Sequence, residues 1–216
     1  MVAKSGASPI ADEINRRIEG LQDRSTGAVR KVRREYSKRL RTESPDVVRA
    51  VAMALLERHR WVAYELLYHH PDGFNGVGID EVEALGRGLD SWASVDAFAR
   101  YISGAAWQRG LISDDDVRRW TTSPDRFWRR AALVSTVPLN LRAAGGTGDA
   151  RRTLEICTLL VDDRDDTVVK ALSWALRELV LWDPDAVRSF VDEHDDVLAA
   201  RVKREVRSKL ETGRKN

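Results

Sequence analysis

An aromatic side chain, Trp120, and a carboxylate, Asp125, lie five residues apart near the middle of the chain. The acidic run Asp114–Asp116 predicts a helix that ends at Trp120, and Ser123-Pro124-Asp125 predicts the start of the next helix. In that interpretation Ser123 caps the helix, Pro124 takes the first helical position, and Asp125 lies near the positive end of the helix dipole. An indole face attracts cations, and a carboxylate stabilises developing positive charge. The turn would bring the two groups together, which makes them the clearest chemical feature of the sequence.

Each of these two residues also has a simpler interpretation. Asp125 could serve only as an acid at a helix N-terminus, and Trp120 could be core packing rather than a partly exposed functional indole. The other six tryptophans mostly fall on apolar stripes, and we predict that they belong to the core. They are Trp61, Trp92, Trp107, Trp128, Trp174 and Trp182.

Several familiar kinds of site are absent from the sequence. It contains no Walker loop and no dinucleotide-binding fingerprint, and its four histidines have no metal-ligand spacing. The acids Asp114–Asp116 are better explained as the first turn of a helix than as metal ligands. The single cysteine, Cys157, lies in an apolar run and is predicted to be a buried thiol. We therefore expect neither a metal nor an organic cofactor.

Apolar residues recur with the period of an α-helix along almost the whole chain, and no segment alternates as a β-strand does. One apolar stripe runs from Ile10 to Leu21 and another from Val29 to Leu40. Helix pairs recur about every 35 to 45 residues, which is the period of HEAT-type arrays. We predict an all-α fold, a HEAT-like repeat solenoid of antiparallel helix pairs with a concave basic face. The alternative is an irregular globular helical domain.

The composition, 43% hydrophobic and 32% charged, favours a folded helical protein over a disordered one. No linker divides the chain, so residues 1–216 are predicted to form one domain with flexible ends at 1–8 and 212–216. No apolar run approaches the roughly 18 residues that a membrane span needs, and the polar N-terminus has no targeting pattern. With a lone cysteine suited to a reducing compartment, these features predict a soluble, cytoplasmic protein.

The net charge of +2 is small, but the basic residues are clustered. One cluster lies on an early helix between Arg30 and Arg41, and a second lies at the C-terminus between Arg201 and Lys215. A third group lies between them in the sequence, from Arg118 to Arg130. Each cluster alone could be a solvated helix surface, whereas the three together predict a basic track suited to a phosphate backbone.

Two tryptophan-centred motifs resemble the AlkD-like alkylpurine DNA glycosylases, which are built from HEAT-like repeats. The first joins Trp120 to the run DRFWRRAA beginning at Asp125, and the second is VKALSWALRE beginning at Val169. The runs ERHRWVAYELL from Glu57 and DSWASVD from Asp90 also fit the family's pattern. The resemblance extends from about residue 10 to residue 210.

The resemblance implies a concave basic surface that holds duplex DNA and excises N3- or N7-alkylated purines in base excision repair. It implies that Asp125 is the catalytic carboxylate and that Trp120 is the aromatic that contacts the cationic nucleotide, although Pro124 is an extra residue between them. An alkylated purine is already cationic and departs without a general acid, while the carboxylate stabilises the oxocarbenium-like sugar. The predicted enzyme acts as a monomer without a metal or cofactor. Its DNA contacts are predicted at Arg129, Arg130, Lys170, Arg177, Lys203 and Arg204.

Two positions depart from the family's pattern. A basic residue is expected before Lys170, where this chain has Val169, and an aromatic is expected in the last helix, where residues 198–216 contain none. The chain would then be a glycosylase for bulky adducts, or a catalytically weak relative that binds damaged or branched DNA. A third hypothesis is a HEAT-type scaffold for protein–protein contacts.

Overall fold

The structure, a computed structural model, describes residues 4–214 of the chain, and their side chains from Pro9 onward. Every regular element in this described part is helical, and none is a strand. The prediction of an all-α protein is confirmed. Of the ends predicted to be flexible, residues 1–3 and 215–216 lie outside the described part, and residues 4–8 form the start of the first helix.

The chain folds as two compact units, Met1–Leu85 and Gly86–Asn216. The first contains α1 (Lys4–Glu19), α2 (Thr26–Arg39), α3 (Pro45–His69) and all but the last residue of α4 (Ile79–Gly86). Helices α1, α2 and α3 pack on one another through the two predicted apolar stripes, most of whose residues are buried. These stripes therefore form the core of the first unit. The prediction that residues 1–216 form one domain stays a prediction.

The second unit holds the remaining α-helices of the described part. A π-helical turn, Ala99–Ser103, joins its first two helices. The α-helices are α5 (Trp92–Phe98), α6 (Gly104–Gln108), α7 (Asp114–Thr121), α8 (Arg126–Ser135), α9 (Val137–Asn140), α10 (Ala150–Leu159), α11 (Asp166–Leu179), α12 (Pro184–Glu193) and α13 (Ala200–Thr212).

The longer helices of the second unit contact one another in two rows. In one row, which we call the α8 row, α5 packs on α8, α8 on α11, and α11 on α13. In the other, the α7 row, α7 packs on α10 and α10 on α12, and each of the three also packs on the helix that follows it in the chain. The N-caps of α8 and α11, Asp125 and Asp165, are 40 residues apart, within the predicted repeat period.

Helices α8 and α11 begin with the same local structure. Each N-cap aspartate, Asp125 or Asp165, accepts a hydrogen bond of 2.8 Å at Oδ1 from the backbone N–H two residues later. Each aspartate's own N–H donates to a side chain two residues earlier, to Ser123 at 3.2 Å and to Asp163 at 2.8 Å. The prediction that Ser123 caps α8 and Pro124 begins it is wrong, because both residues precede the cap. A charged oxygen forms the stronger bond to a helix N-terminal N–H, which favours the aspartate.

Candidate functional site

Asp125 lies at the protein surface, at the end of the loop of residues 122–125 that connects α7 to α8. Its side chain is exposed, and the hydrogen bond from the Phe127 N–H fixes Oδ1 at the N-terminus of α8. The dipole of the helix stabilises negative charge there. This geometry presents a fixed carboxylate to solvent, which suits a group that stabilises a cation.

The loop that carries Asp125 is held from within the protein by Arg129. Nη1 of Arg129 donates to the backbone carbonyls of Ser123 and Pro124 at 2.9 and 3.2 Å. Nε of the same guanidinium donates to Oδ2 of Asp163 at 2.7 Å. The sequence predicted a DNA contact for Arg129, but in the structure its guanidinium bonds to the protein's own loops.

Trp120 is a packing residue in this structure. Its side chain is 4% exposed, and its ring centroid lies 5.1 Å from that of Trp128 and 6.4 Å from that of Phe98. Leu160, which stands five residues before the N-cap of α11 as Trp120 does for α8, is buried as well. Of the two interpretations of Trp120, core packing is the one observed, because this position is buried before both caps. The indole therefore packs between α5 and α8.

A basic cleft of about 300 Å³ opens on the α8 row. It combines four cationic side chains, one carboxylate and one indole from three successive helices of that row. Three of the six predicted DNA contacts lie here together, and the last helix contributes a further arginine that was not singled out. The lining residues are Arg130 from α8, Lys170, Trp174 and Arg177 from α11, and Arg201 and Glu205 from α13.

Glu205, the carboxylate of the basic cleft, is largely buried, and neighbouring cations neutralise its charge only in part. Glu205 accepts a hydrogen bond of 2.7 Å from the Ser173 hydroxyl, while the nearest nitrogens of Arg177 and Arg201 lie 3.7 and 4.0 Å away. Nε of Arg177 donates to the Ser173 carbonyl at 3.1 Å. Burial lowers the pKa of the Arg177 guanidinium below its ordinary value. An anion placed in the cleft would stabilise these partly desolvated cations.

Arg130, at the edge of the basic cleft, is committed to an ion pair inside the second unit. Nη2 lies 2.7 and 3.0 Å from the two carboxylate oxygens of Asp96, and Nη1 donates to the Thr167 carbonyl at 2.6 Å. Only 6% of the Arg130 side chain is exposed. Burial raises the pKa of Asp96 above its ordinary value of 3.8, although the guanidinium opposes the rise. Arg130 therefore links α5, α8 and α11 rather than offering its charge to solvent.

Lys170 occupies the position of α11 that Arg130 occupies in α8, five residues after the N-cap. Its side chain is 49% exposed, and Nζ pairs at 2.6 Å with Asp166 of the same helix. The hydrogen bond from Lys170 lowers the pKa of Asp166 below its ordinary value of 3.8. A pair on an exposed helix surface is easily exchanged, so this ammonium is available to a phosphate.

The two predicted contacts on the last helix lie outside the lining of the basic cleft. Nζ of Lys203 donates to the Asp195 carbonyl at 2.8 Å, which ties α13 to the preceding loop. Arg204 is exposed and has no hydrogen bond or ion pair with the described residues. Of the two, Arg204 is therefore the one whose charge is offered to solvent.

Part of the early basic cluster is used within the first unit. Arg33 is buried, and its Nε donates to Oε2 of Glu65 at 2.8 Å, while Nε of Arg30 donates to Oε1 at 3.0 Å. Arg39 pairs with Glu13 at 2.7 Å. These three charges have internal partners, which reduces what this cluster can offer to a phosphate backbone.

Of the six tryptophans predicted to be core, only Trp107 is buried. Trp61, Trp128 and Trp182 are half-buried, and the remaining two lie elsewhere. Trp92 is 65% exposed because it is the first residue of α5, directly after the N-cap Ser91. Trp174 is half-buried in the wall of the basic cleft, where its Nε1 donates to Glu178 at 3.0 Å. The spacing of Lys170, Trp174 and Arg177, at i, i+4 and i+7, places all three on one face of a helix. That spacing is the sequence signal that identifies Trp174 as part of the cleft.

The described residues contain no group of three or more His, Cys, Asp or Glu side chains arranged to hold a metal ion. Within the same part of the chain, no helix combines the length and apolar character needed to cross a membrane. The free thiol of Cys157 is buried, as predicted, and burial raises its pKa. The charged groups of the basic cleft and of the Asp125 loop are thus the main candidates for function.

A protein-family model described as DNA alkylation repair enzyme matches residues 12–210, which is nearly the whole chain. The chain belongs to this family. Neither a curated protein nor a solved structure matches it.

Proposed function

We propose that this DNA alkylation repair enzyme is a DNA glycosylase that excises N3- or N7-alkylated purines from duplex DNA. The observation that carries the proposal is the basic cleft on three successive helices, where Lys170 and Arg201 present partly exposed cations on either side of Arg177 and Trp174. Cations arranged along a surface release the counterions condensed on a duplex, which drives binding independently of sequence. The α8 row would then run along the DNA backbone, as the predicted solenoid with a concave basic face requires.

The chemistry is assigned to Asp125. An N-alkylated purine carries its own positive charge, so the glycosidic bond breaks without a proton donor and leaves an oxocarbenium-like sugar. An exposed carboxylate fixed at the N-terminus of α8 stabilises that cation and orients the water that attacks it. The reaction needs no metal or organic cofactor in this scheme. The monomeric state and the cytoplasmic location stay predictions.

The aromatic surface of the site is assigned to Trp174 rather than to Trp120. Trp120 packs inside the second unit, whereas Trp174 lines the basic cleft between Lys170 and Arg177. An indole beside several cations suits a nucleotide, because the base stacks on the ring while the phosphate meets the charges.

The test is base release under single-turnover conditions. A duplex with one N7-methylguanine is incubated with excess protein, and the free base is measured by mass spectrometry, with the unmodified duplex as control. We expect release from the alkylated duplex only. Release of no base from any N3- or N7-alkylpurine would overturn the glycosylase assignment.

The salt dependence of DNA binding tests which surface of the protein contacts the duplex. Arg201→Gln should reduce the slope of log affinity against log salt by about 1, because one phosphate contact is lost. The matched control is Arg188→Gln, which removes an arginine of comparable exposure, 54% against 40% for Arg201, from α12 in the α7 row. Equal slopes for both variants would place the DNA on another surface.

The runner-up function is a catalytically weak binder of damaged or branched DNA. It is favoured by one observation, the absence of any aromatic residue from 198–216. Tight, salt-dependent binding of alkylated or branched duplexes without base release would establish it.

A further inference from the structure

The arginine that follows the catalytic candidate by four residues connects two loops of the second unit. Nη1 of Arg129 holds the carbonyls of Ser123 and Pro124 at 2.9 and 3.2 Å, and Nε holds Oδ2 of Asp163 at 2.7 Å. The other oxygen of Asp163 accepts the N–H of Asp165 at 2.8 Å. We call Arg129 and Asp163 the loop clamp, because together they tie the start of α8 to the start of α11.

The loop clamp is shielded from solvent and depends on the shape of a guanidinium. The side chains of Arg129 and Asp163 are 21% and 11% exposed, so a broken pair would leave a charge in a largely desolvated place. A guanidinium directs several N–H groups in one plane and can bond two loops at once. The ammonium of a lysine carries the same charge but lacks this fork, so it cannot reproduce both sets of bonds.

We propose that Arg129 and Asp163 are positioning residues that fix the loop of Asp125, and that Arg129 acts through Asp125 rather than through a DNA phosphate. The proposal rests on the proposed function, in which Asp125 is the group that faces the reacting sugar. The three acceptors of Arg129 are all within the protein, and two of them are the carbonyls directly before Asp125. Removal of the clamp leaves the carboxylate chemically intact but lets its loop move.

The experiment compares Arg129→Lys and Arg129→Gln with the wild type on the alkylated duplex, at protein concentrations that saturate the DNA. A displacement of about 1 Å from the productive geometry costs about 10²-fold in rate. We therefore expect the maximal single-turnover rate to fall by roughly that factor in both variants, with an unchanged salt slope of DNA binding. A direct phosphate contact predicts the opposite, a slope reduced by about 1 and a maximal rate that Arg129→Lys preserves.

The matched control is Arg126→Gln, which removes an exposed arginine beside Asp125 without touching the loop clamp. It should leave the maximal rate within a few-fold of the wild type. Asp163→Asn provides a second approach to the clamp from the other loop and should slow base release as Arg129→Lys does. Circular dichroism and the thermal midpoint of each variant separate a displaced loop from an unfolded chain.

A double-mutant cycle decides whether Arg129 acts through Asp125. In an Asp125→Asn background, Arg129→Lys should have no further effect on the maximal rate, because there is no carboxylate left to position. An additive effect, or full activity of Arg129→Lys in the wild-type background, would overturn the positioning role while leaving the glycosylase assignment in place. A wild type that releases no base would overturn the proposed function, and the positioning role with it.

Discussion

The starts of α8 and α11 share a local structure and differ in what surrounds it. Asp125 and Asp165 both accept the N–H two residues later at 2.8 Å, and both follow a buried residue placed five positions earlier. Asp125 is exposed, whereas Asp165 is half-buried and lies 3.6 Å from Nη1 of Arg126. Capping geometry is therefore common to both helices, and only the surroundings distinguish a carboxylate that is open to a substrate.

The same comparison applies one turn further along each helix. Arg130 and Lys170 have equivalent positions and line the same basic cleft, yet Arg130 is buried against Asp96 while Lys170 extends into solvent. A basic residue at this position thus serves structure in one helix and is open to a ligand in the next. Equivalent positions in a helical array carry equivalent backbone geometry but not equivalent chemistry.

The largest expected effect is on the rate of base release, which should depend on Asp125 and not on Asp165. Asp125→Asn should slow base release by about 10²–10³-fold, because asparagine still caps the helix but carries no charge. Asp165→Asn should leave the rate unchanged and should alter stability by less than about 1 kcal/mol, since asparagine keeps the cap and only a 3.6 Å ion pair to the exposed Arg126 is weakened. The measurement is the single-turnover rate at saturating protein, and equal rates for the two variants would contradict the assignment of Asp125.

The buried residues before the two caps test the packing role of Trp120. Trp120→Ala should lower the free energy of unfolding by about 3–5 kcal/mol, and Leu160→Ala by about 2–5 kcal/mol, because both open cavities in the second unit. Trp120→Phe should cost less because it retains a ring. Denaturant unfolding gives these values. If Trp120→Ala also slowed base release per folded molecule while Leu160→Ala did not, a nucleotide contact for Trp120 would replace packing as its role.

The Arg130 and Lys170 positions should respond to the same substitution in opposite ways. Arg130→Gln should cost roughly 3 kcal/mol of stability, at the low end for a broken buried pair because Asp96 keeps 21% exposure. Lys170→Gln should change stability by no more than about 0.5 kcal/mol but should reduce the salt slope of DNA binding by about 1. A stable Arg130→Gln variant with a reduced slope would show that Arg130 also binds DNA.

The smallest expected effect is a shift in the pKa of Asp166, the first residue of α11. The hydrogen bond from Lys170 lowers the pKa of Asp166 in the folded protein. The ionised carboxylate therefore contributes to stability at pH values above the pKa that Asp166 has in the unfolded chain. That contribution is lost as the pH falls through the pKa of Asp166 in the folded protein, which lies below about 3.8. An NMR titration of the Asp166 carboxyl should show the lowered pKa and its return towards the ordinary value in Lys170→Gln. An unchanged titration in that variant would mean that the pair does not form in solution.

Local sequence patterns predicted most of the secondary structure correctly because they depend on neighbours in the chain. The apolar stripes of α1 and α2 and the acidic first turn of α7 follow from helical periodicity and unpaired N–H groups. The start of α8 was misplaced by two residues because Ser123 and Asp125 are both good caps. Only the bond that forms to Phe127 decides between them.

The candidate site was predictable in its residue types and not in its contacts. The sequence by itself determined an all-α fold, a family membership predicted from the runs around Trp128 and Trp174, and the presence of Asp125 at a helix start. The tertiary structure alone decided that Trp120 is buried, that Trp174 lines a cleft, and that Arg129 bonds to loops. The reason is physical: exposure of a side chain and pairing of a charge depend on partners such as Asp96 and Asp163, which lie 34 residues away in the chain. Helical periodicity contains no information about those distant partners.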